Sequence, residues 1–136
     1  MRRALIDSGA IYAFVVRTDQ NHGAAVNFVA KWLKTSGTFH LLDVVFFEAM
    51  TLLKARASAD VAIRAGRELR RNAAYTWIAL TPELERETWA IFQKYVDKTW
   101  SFTDCALFVA SKHLRIPDIF SFDKDFERMT GVRLLP

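Results

Sequence analysis

The sequence contains few of the residues that cross-link or interrupt a small fold. One cysteine, Cys105, occurs among 136 residues, so one chain can form neither an internal disulfide nor a cysteine-rich zinc site. No apolar run approaches the ~20 residues that a membrane helix needs. Arg2 and Arg3 are followed by only three apolar residues before Asp7, which excludes a signal-peptide pattern there. These absences favour a reducing, cytoplasmic location and no membrane partner.

What the chain has in quantity is apolar surface to bury. Hydrophobic residues make up 51% of it and include 11 Phe and 4 Trp. Burying one large apolar side chain contributes roughly 1.5–3 kcal/mol. We therefore expect one compact domain over residues 1–136. The net charge of +4 suits a polyanionic partner such as nucleic acid but does not identify one.

Short apolar runs alternate with longer segments of helical periodicity. Strands are expected at 3–6, 38–42, 75–80, 118–122 and 132–135, and helices at 21–35, 44–56, 59–72, 82–95, 102–114 and 125–129. Strands separated by helices predict an α/β fold with a parallel sheet and right-handed crossovers.

Three acidic residues directly follow expected strands, and one of them, Asp43, can N-cap the next helix. Ligands of open α/β sheets bind beyond the carboxyl ends of the strands, and Asp7 and Asp123 occupy such positions. Each also has a local explanation of similar weight. Asp7 can cap the segment that starts at Ser8, and Asp123 can be a turn or cap residue.

Two further acidic residues lie in apolar surroundings. Glu48 is embedded in VVFFEAMTLL, and a buried carboxylate needs a partner or a metal. Asp104 completes a capping box with Ser101, which would explain it fully. The helix behind it, CALFVA, is apolar all round and should be buried, with its N-terminus at the same edge of the sheet.

Four carboxylates in one cleft would repel one another and raise their pKa values. A hard divalent cation such as Mg²⁺, which prefers oxygen ligands, removes that repulsion. We therefore expect Asp7, Asp104 and Asp123 to be metal ligands. Glu48 is either a ligand through water or the group that orients an attacking water.

The stretches LIDSGAIYAF, VFFEAMTLL, DKTWSFTDCALFVASKHLRI and IFSFDKDF, in this order, resemble PIN-domain proteins, and VapC-like toxin ribonucleases of type II toxin–antitoxin pairs in particular. The resemblance extends from Leu5 to Leu134. It implies a three-layer α/β/α sandwich with a parallel sheet of four to five strands in the order 3-2-1-4-5.

The resemblance also implies cleavage of RNA that depends on Mg²⁺ or Mn²⁺, with an acidic quartet at Asp7, Glu48, Asp104 and Asp123. Relatives with this pattern often have a histidine where this chain has Asp125. Either Asp123 or Asp125 therefore completes the site, and Asp123 aligns better.

Several other residues are candidates for supporting roles. Ser8 and Thr103 adjoin proposed ligands and would either bind a water or phosphate or simply cap a helix. The segment RAGRELRR (64–71) places four arginines on the outer side of a helix, where they are solvated or contact phosphates without reading sequence. The candidates for RNA contact are Arg64, Arg67 and Arg71.

The expected partners are RNA, a small cognate antitoxin and a second copy of the chain. An antitoxin tail carrying arginine would bind the carboxylates bidentately. Two other functions remain open, namely a non-catalytic PIN-like module that binds RNA or protein and a Mg²⁺-binding phosphoacceptor domain. The latter requires an acidic pair after the first strand, which Asp7-Ser8-Gly9 lacks.

Overall fold

In the computed structural model, which describes residues 2–136, five strands form one parallel sheet in the order β3-β2-β1-β4-β5. The strands are β1 (Arg3–Ile6), β2 (Thr38–Leu42), β3 (Tyr75–Ile78), β4 (Asp118–Phe120) and β5 (Arg133–Leu135). The helices are α1 (Ser8–Val15), α2 (His22–Lys34), α3 (Asp43–Arg56), α4 (Ala59–Arg71), α5 (Pro82–Lys94) and α6 (Phe102–Leu114), and a 3₁₀ helix spans Lys124–Arg128. The expected α/β/α sandwich and strand order are confirmed.

The helices form two groups. Helix α1 packs against α2 and α3, α3 packs against α4, and α5 packs against α6. The chain moves across the sheet from β1 to β2 to β3 and then returns past β1 to β4. Because parallel crossovers are right-handed, this reversal places α5 and α6 on the face opposite the other helices.

The same reversal creates the position where a ligand is expected. Strand β1 leads to β2 on one side, whereas β4 leads to β5 on the other, so the strand order changes direction between β1 and β4. These two strands pair in parallel through Leu5–Ile119 and Ile6–Phe120. Their carboxyl ends therefore lie side by side at the switch point of the sheet.

The core is apolar and rich in aromatic rings. Phe39 and Phe120 are fully buried, with ring centroids 5.7 Å apart, and the ring of Phe28 lies 4.6 Å from that of Phe120. In α6 every residue from Asp104 to Ser111 is buried, which includes the apolar run CALFVA from which burial was predicted. No helix within residues 2–136 has the length and hydropathy needed to cross a bilayer.

Three local features differ from the expectation. Helix α1 was not expected, because eight mostly small or apolar residues show no clear periodicity. Strand β3 ends at Ile78 rather than residue 80, since the Leu80 N–H donates to Asp43 Oδ1 (3.1 Å) instead of to a strand. Strand β4 ends at Phe120 rather than residue 122, and the Ser121 hydroxyl then contacts Asp7.

Candidate active site

A cavity of about 520 Å³ opens at the carboxyl ends of β1 and β4. We call it the acidic pocket, because five carboxylates contribute to its wall. Its lining residues are Asp7, Ser8, Gly9, Tyr12, Asp19, Asn21, Glu48, Leu52, Arg56, Thr99, Ser101, Asp104, Phe122 and Asp123. All four residues of the expected quartet are among them.

Asp7 is both a helix cap and a member of this pocket. Its Oδ1 accepts a hydrogen bond from the Ser8 N–H (2.8 Å), and its Oδ2 accepts one from the Ser121 hydroxyl (2.9 Å). Only 7% of the residue is exposed. Burial raises the pKa of Asp7 to about 7, and the charges of Asp104 and Glu48 add to the rise, while the two hydrogen bonds oppose it. Asp7 therefore caps α1 and also lines the acidic pocket.

Glu48 reaches the pocket, but not as a buried charge. The residue is exposed on α3, which corrects the expectation drawn from its apolar sequence neighbours. Val45 and Ala49 on either side of it are buried, while Phe47 and Glu48 face outward. Its Oε1 accepts a hydrogen bond of 2.6 Å from the Ser8 hydroxyl, which fixes the carboxylate at the mouth of the pocket.

Asp104 forms the expected capping box at the start of α6. Its backbone N–H donates to the Ser101 hydroxyl (3.1 Å), and its Oδ2 accepts from the Ser101 N–H (2.9 Å). The residue is 8% exposed. Burial raises the pKa of its carboxyl group, and the charges of Asp123 and Glu48 raise it further.

Asp123 and Asp125 lie close to Asp104, although Asp123 alone of the two lines the acidic pocket. Asp123 Oδ1 caps the 3₁₀ helix by accepting from the Asp125 N–H (2.9 Å), and Asp125 Oδ2 accepts from the Thr99 hydroxyl (2.7 Å). Asp104, Asp123 and Asp125 each place one carboxylate oxygen within 4.8 Å of the other two. Both Asp123 and Asp125 are therefore close enough to Asp104 to share one cation, so the structure does not require a choice between them.

The donor set fits a hard divalent cation. Every side-chain donor named above is a carboxylate or hydroxyl oxygen, and no sulfur or imidazole nitrogen lines the pocket. Asp7 lies outside the group of three whose oxygens are within 4.8 Å of one another, although it shares the pocket and is affected by the charge of Asp104. The geometry thus favours Asp104, Asp123 and Asp125 as the holding group, with Asp7 next to it.

The structure places the two predicted supporting residues, Ser8 and Thr103, differently relative to the pocket. Ser8 contacts Glu48 directly, whereas Thr103 is not part of the pocket wall. Ser121 and Thr99 hold Asp7 and Asp125 but were not recognised in the sequence. The only signal for Ser121 is its position at the end of β4, two residues before Asp123.

The predicted arginine cluster lies away from the acidic pocket. Arg64, Arg67 and Arg71 are all exposed on α4, and none lines the pocket. Arg64 forms an ion pair of 2.9 Å with Asp60, one helical turn before it. Arg56, at the end of α3, does line the pocket and was not predicted.

Comparisons with known proteins agree with this architecture. Residues 4–132 match the model of the PIN domain family. No curated protein sequence matches the chain. Among solved structures, Mycobacterium tuberculosis VapC20, described as a sarcin–ricin loop cleaving toxin, is similar with a TM-score of 0.84 and 23% identity, over 96% of this chain and 98% of that one.

Two toxin–antitoxin assemblies are also similar. VapBC2 from Rickettsia felis, bound to a promoter DNA fragment, has a TM-score of 0.68 and 8% identity, over 98% of this chain and 97% of that one. A toxin–antitoxin complex from Klebsiella pneumoniae has a TM-score of 0.62 and 14% identity, over 96% and 95%. At these identities the structures show a shared fold, and the family match spans nearly the whole sequence. The chain belongs to the PIN domain family.

Proposed function

We propose that this protein is a metal-dependent endoribonuclease and the toxin of a toxin–antitoxin pair. The observation that carries the proposal is the convergence of Asp7, Glu48, Asp104 and Asp123, from four separate segments, on one pocket of a PIN-domain chain. Two of these carboxylates, Asp7 and Asp104, are buried with raised pKa values, and burying such groups opposes folding. Groups with pKa values perturbed in this way are typical of functional sites.

The roles of the residues follow from their contacts. Asp104, Asp123 and Asp125 would hold a Mg²⁺ or Mn²⁺ ion, with Asp7 beside them. Such an ion, when bound, neutralises the carboxylates, activates water and stabilises charge on the phosphate undergoing substitution. Ser8 fixes one oxygen of Glu48, which leaves the other available to orient the attacking water.

RNA is the proposed substrate, and the similar structures suggest where to start. VapC20 is described as a sarcin–ricin loop cleaving toxin. An oligoribonucleotide with that loop sequence is therefore the first defined substrate to test, beside total cellular RNA.

The proposed protein partners are an antitoxin and a second copy of the chain. Two of the similar structures are toxin–antitoxin complexes. The acidic pocket suits an arginine side chain from such a partner, because a guanidinium binds carboxylates bidentately. Phe47 (58% exposed) and Trp89 (51% exposed) offer apolar surface for a homodimer.

A cleavage assay with a matched variant tests the proposed activity. Purified protein is incubated with both RNA substrates in Mg²⁺, in Mn²⁺ and in EDTA. We expect cleavage with either metal, none in EDTA, and a loss of about 100-fold or more for Asp104→Asn. Asp118→Asn is the control, because this equally buried aspartate lies at the opposite end of β4 and pairs with Arg133 (2.5 Å).

Two outcomes would contradict the proposal. Cleavage that persists in EDTA, or in Asp104→Asn at the wild-type rate, would exclude the metal-dependent site. RNA binding without cleavage under any metal condition would indicate a non-catalytic PIN-like module instead.

A further inference from the structure

Arg56 is a basic residue in the wall of the acidic pocket. It is the last residue of α3, and Glu48, Leu52 and Arg56 follow one another at intervals of four, so they share one face of that helix. All three line the pocket, and Arg56 is the one lysine or arginine among its lining residues.

The Arg56 side chain has no ion-pair or hydrogen-bond partner within residues 2–136 that would explain its position in the pocket wall. The ion pairs within residues 2–136 are Arg64–Asp60, Lys98–Asp97, His113–Glu87 and Arg133–Asp118, and none includes Arg56. No hydrogen bond of its guanidinium occurs in the described part of the chain either, and the residue is exposed. Arg56 therefore shares a pocket wall with five carboxylates but is bonded to none of them, so its guanidinium is available to an anion from outside.

Arg56 also has a purely structural alternative role, because it lies in the last turn of α3. A cation in the last turn stabilises the helix by interacting with its dipole, an effect of tenths of a kcal/mol at exposed sites. Lys54 lies in the same last turn, is also exposed, and is absent from the pocket wall. Replacing Lys54 therefore tests the helix-dipole effect alone, without an effect on a ligand in the pocket.

We propose that Arg56 is a substrate-binding residue, which binds the phosphate of the RNA next to the scissile one. The inference rests on the proposed function. A strand that brings one phosphate to the aspartates must carry its neighbouring phosphate past the negatively charged mouth at Glu48. The planar guanidinium of Arg56 offsets that repulsion and matches two phosphate oxygens at once.

A contact of this kind acts on substrate binding and not on the chemical step. Arg56→Ala should raise KM by about 10–100-fold, as expected for losing charge-assisted hydrogen bonds to phosphate. It should leave kcat within about 2-fold and reduce the slope of log(kcat/KM) against log[salt] by about one. Arg56→Lys keeps the charge and should restore the salt slope while recovering only part of KM.

The experiment measures these constants on a fluorescein-labelled oligoribonucleotide that carries the cleavage site mapped for the wild-type protein. Wild type, Arg56→Ala, Arg56→Lys and Lys54→Ala are compared at several salt concentrations in Mg²⁺. Melting temperatures with EDTA and with Mg²⁺ show that each variant is folded and still binds the ion. We expect Lys54→Ala to match the wild type in KM and salt slope.

The outcomes separate this inference from the proposed function. If the wild-type protein cleaves no RNA, the proposed function fails and the inference fails with it. If the wild type cleaves and Arg56→Ala has the same KM and salt slope, Arg56 does not contact substrate and the inference alone is refuted. A fall in kcat at unchanged KM also refutes it, since the residue would then act in the chemical step.

Discussion

Replacing Asp7 by asparagine should make the metal-free protein more stable above neutral pH. Burial raises the pKa of Asp7 from 3.8 to about 7 in the folded state, with the charge of Asp104 adding to the rise. Asparagine carries no charge and can still accept the Ser8 N–H as a cap. The Ser121 hydroxyl, which now donates to Oδ2, can rotate and accept from the new amide.

The sign follows from the two protonation equilibria. Below the unfolded pKa of 3.8, Asp7 is protonated in both states and stability is unaffected. As pH rises toward about 7, the unfolded chain ionises first, which favours unfolding. Above about pH 7 both states are ionised, and the folded state keeps the full penalty of the buried charge.

The size of that penalty sets the expected difference. A rise in pKa from 3.8 to about 7 corresponds to at most ~4 kcal/mol at about 1.4 kcal/mol per pKa unit. Less than half of this has developed near pH 5, and nearly all of it near pH 8. The wild type should therefore lose ~2–3 kcal/mol more than Asp7→Asn between these two conditions. Asp104, whose pKa is also raised, is present in both proteins and largely cancels.

The measurement is chemical denaturation of both proteins in EDTA, near pH 5 and near pH 8, repeated with excess Mg²⁺. Mg²⁺ should stabilise the wild type by binding the native state and should stabilise Asp7→Asn much less. Asp118→Asn serves as the control and should follow the pH dependence of the wild type. An equal loss of stability in wild type and Asp7→Asn between the two pH values would refute a strained, buried charge at this position.

Two further changes test the support of the site and its core. Ser121→Ala removes a hydroxyl that donates to Asp7 and accepts from the Asp123 N–H (3.0 Å), so the pKa of Asp7 should rise further. The Mg²⁺ concentration that half-saturates the thermal shift should increase by about 10-fold or more. An unchanged midpoint would show that Ser121 does not affect metal binding. Leu53→Ala, at a fully buried position of α3, should lower the free energy of unfolding by about 2–5 kcal/mol. Leu33→Ala, at a position 37% exposed, is the control and should lower it by about 1 kcal/mol or less. Equal losses of stability in denaturation curves of the two variants would contradict the assigned core.

Elements with local end signals were predictable from the sequence to within a residue or two. Thr81 and Pro82 start α5, with the Leu84 N–H donating to the Thr81 hydroxyl (3.3 Å), and Ser58 caps α4 through the Val61 N–H (3.1 Å). Strand β2 and helix α6 have the expected bounds. The strand order, by contrast, came from the family resemblance, since no local pattern specifies which strands are neighbours.

Contacts between distant segments were beyond the reach of sequence patterns. Ser121 and Asp7 are 114 positions apart, and their contact exists because β4 pairs with β1. The exposure of Glu48 depends on which side of α3 the helices α1 and α4 cover. Because α3 is apolar on nearly every side, its sequence does not indicate which side will be covered. Thr99 and Arg56 were missed for the same reason, since their roles depend on neighbours supplied by other elements.

Asp7, Asp104 and Asp123 each cap local structure and also line the acidic pocket, and this explains why each looked ambiguous in the sequence. Asp104 uses Oδ2 for the Ser101 N–H, Asp123 uses Oδ1 for the Asp125 N–H, and Asp125 uses Oδ2 for the Thr99 hydroxyl. One oxygen of each side chain is thereby fixed by the fold, while the other has no hydrogen-bond partner within residues 2–136. Holding a rotamer through one oxygen preorganises the second for a ligand. Capping and metal binding are therefore compatible uses of one side chain, and a capping motif in the sequence is not an argument against a functional role.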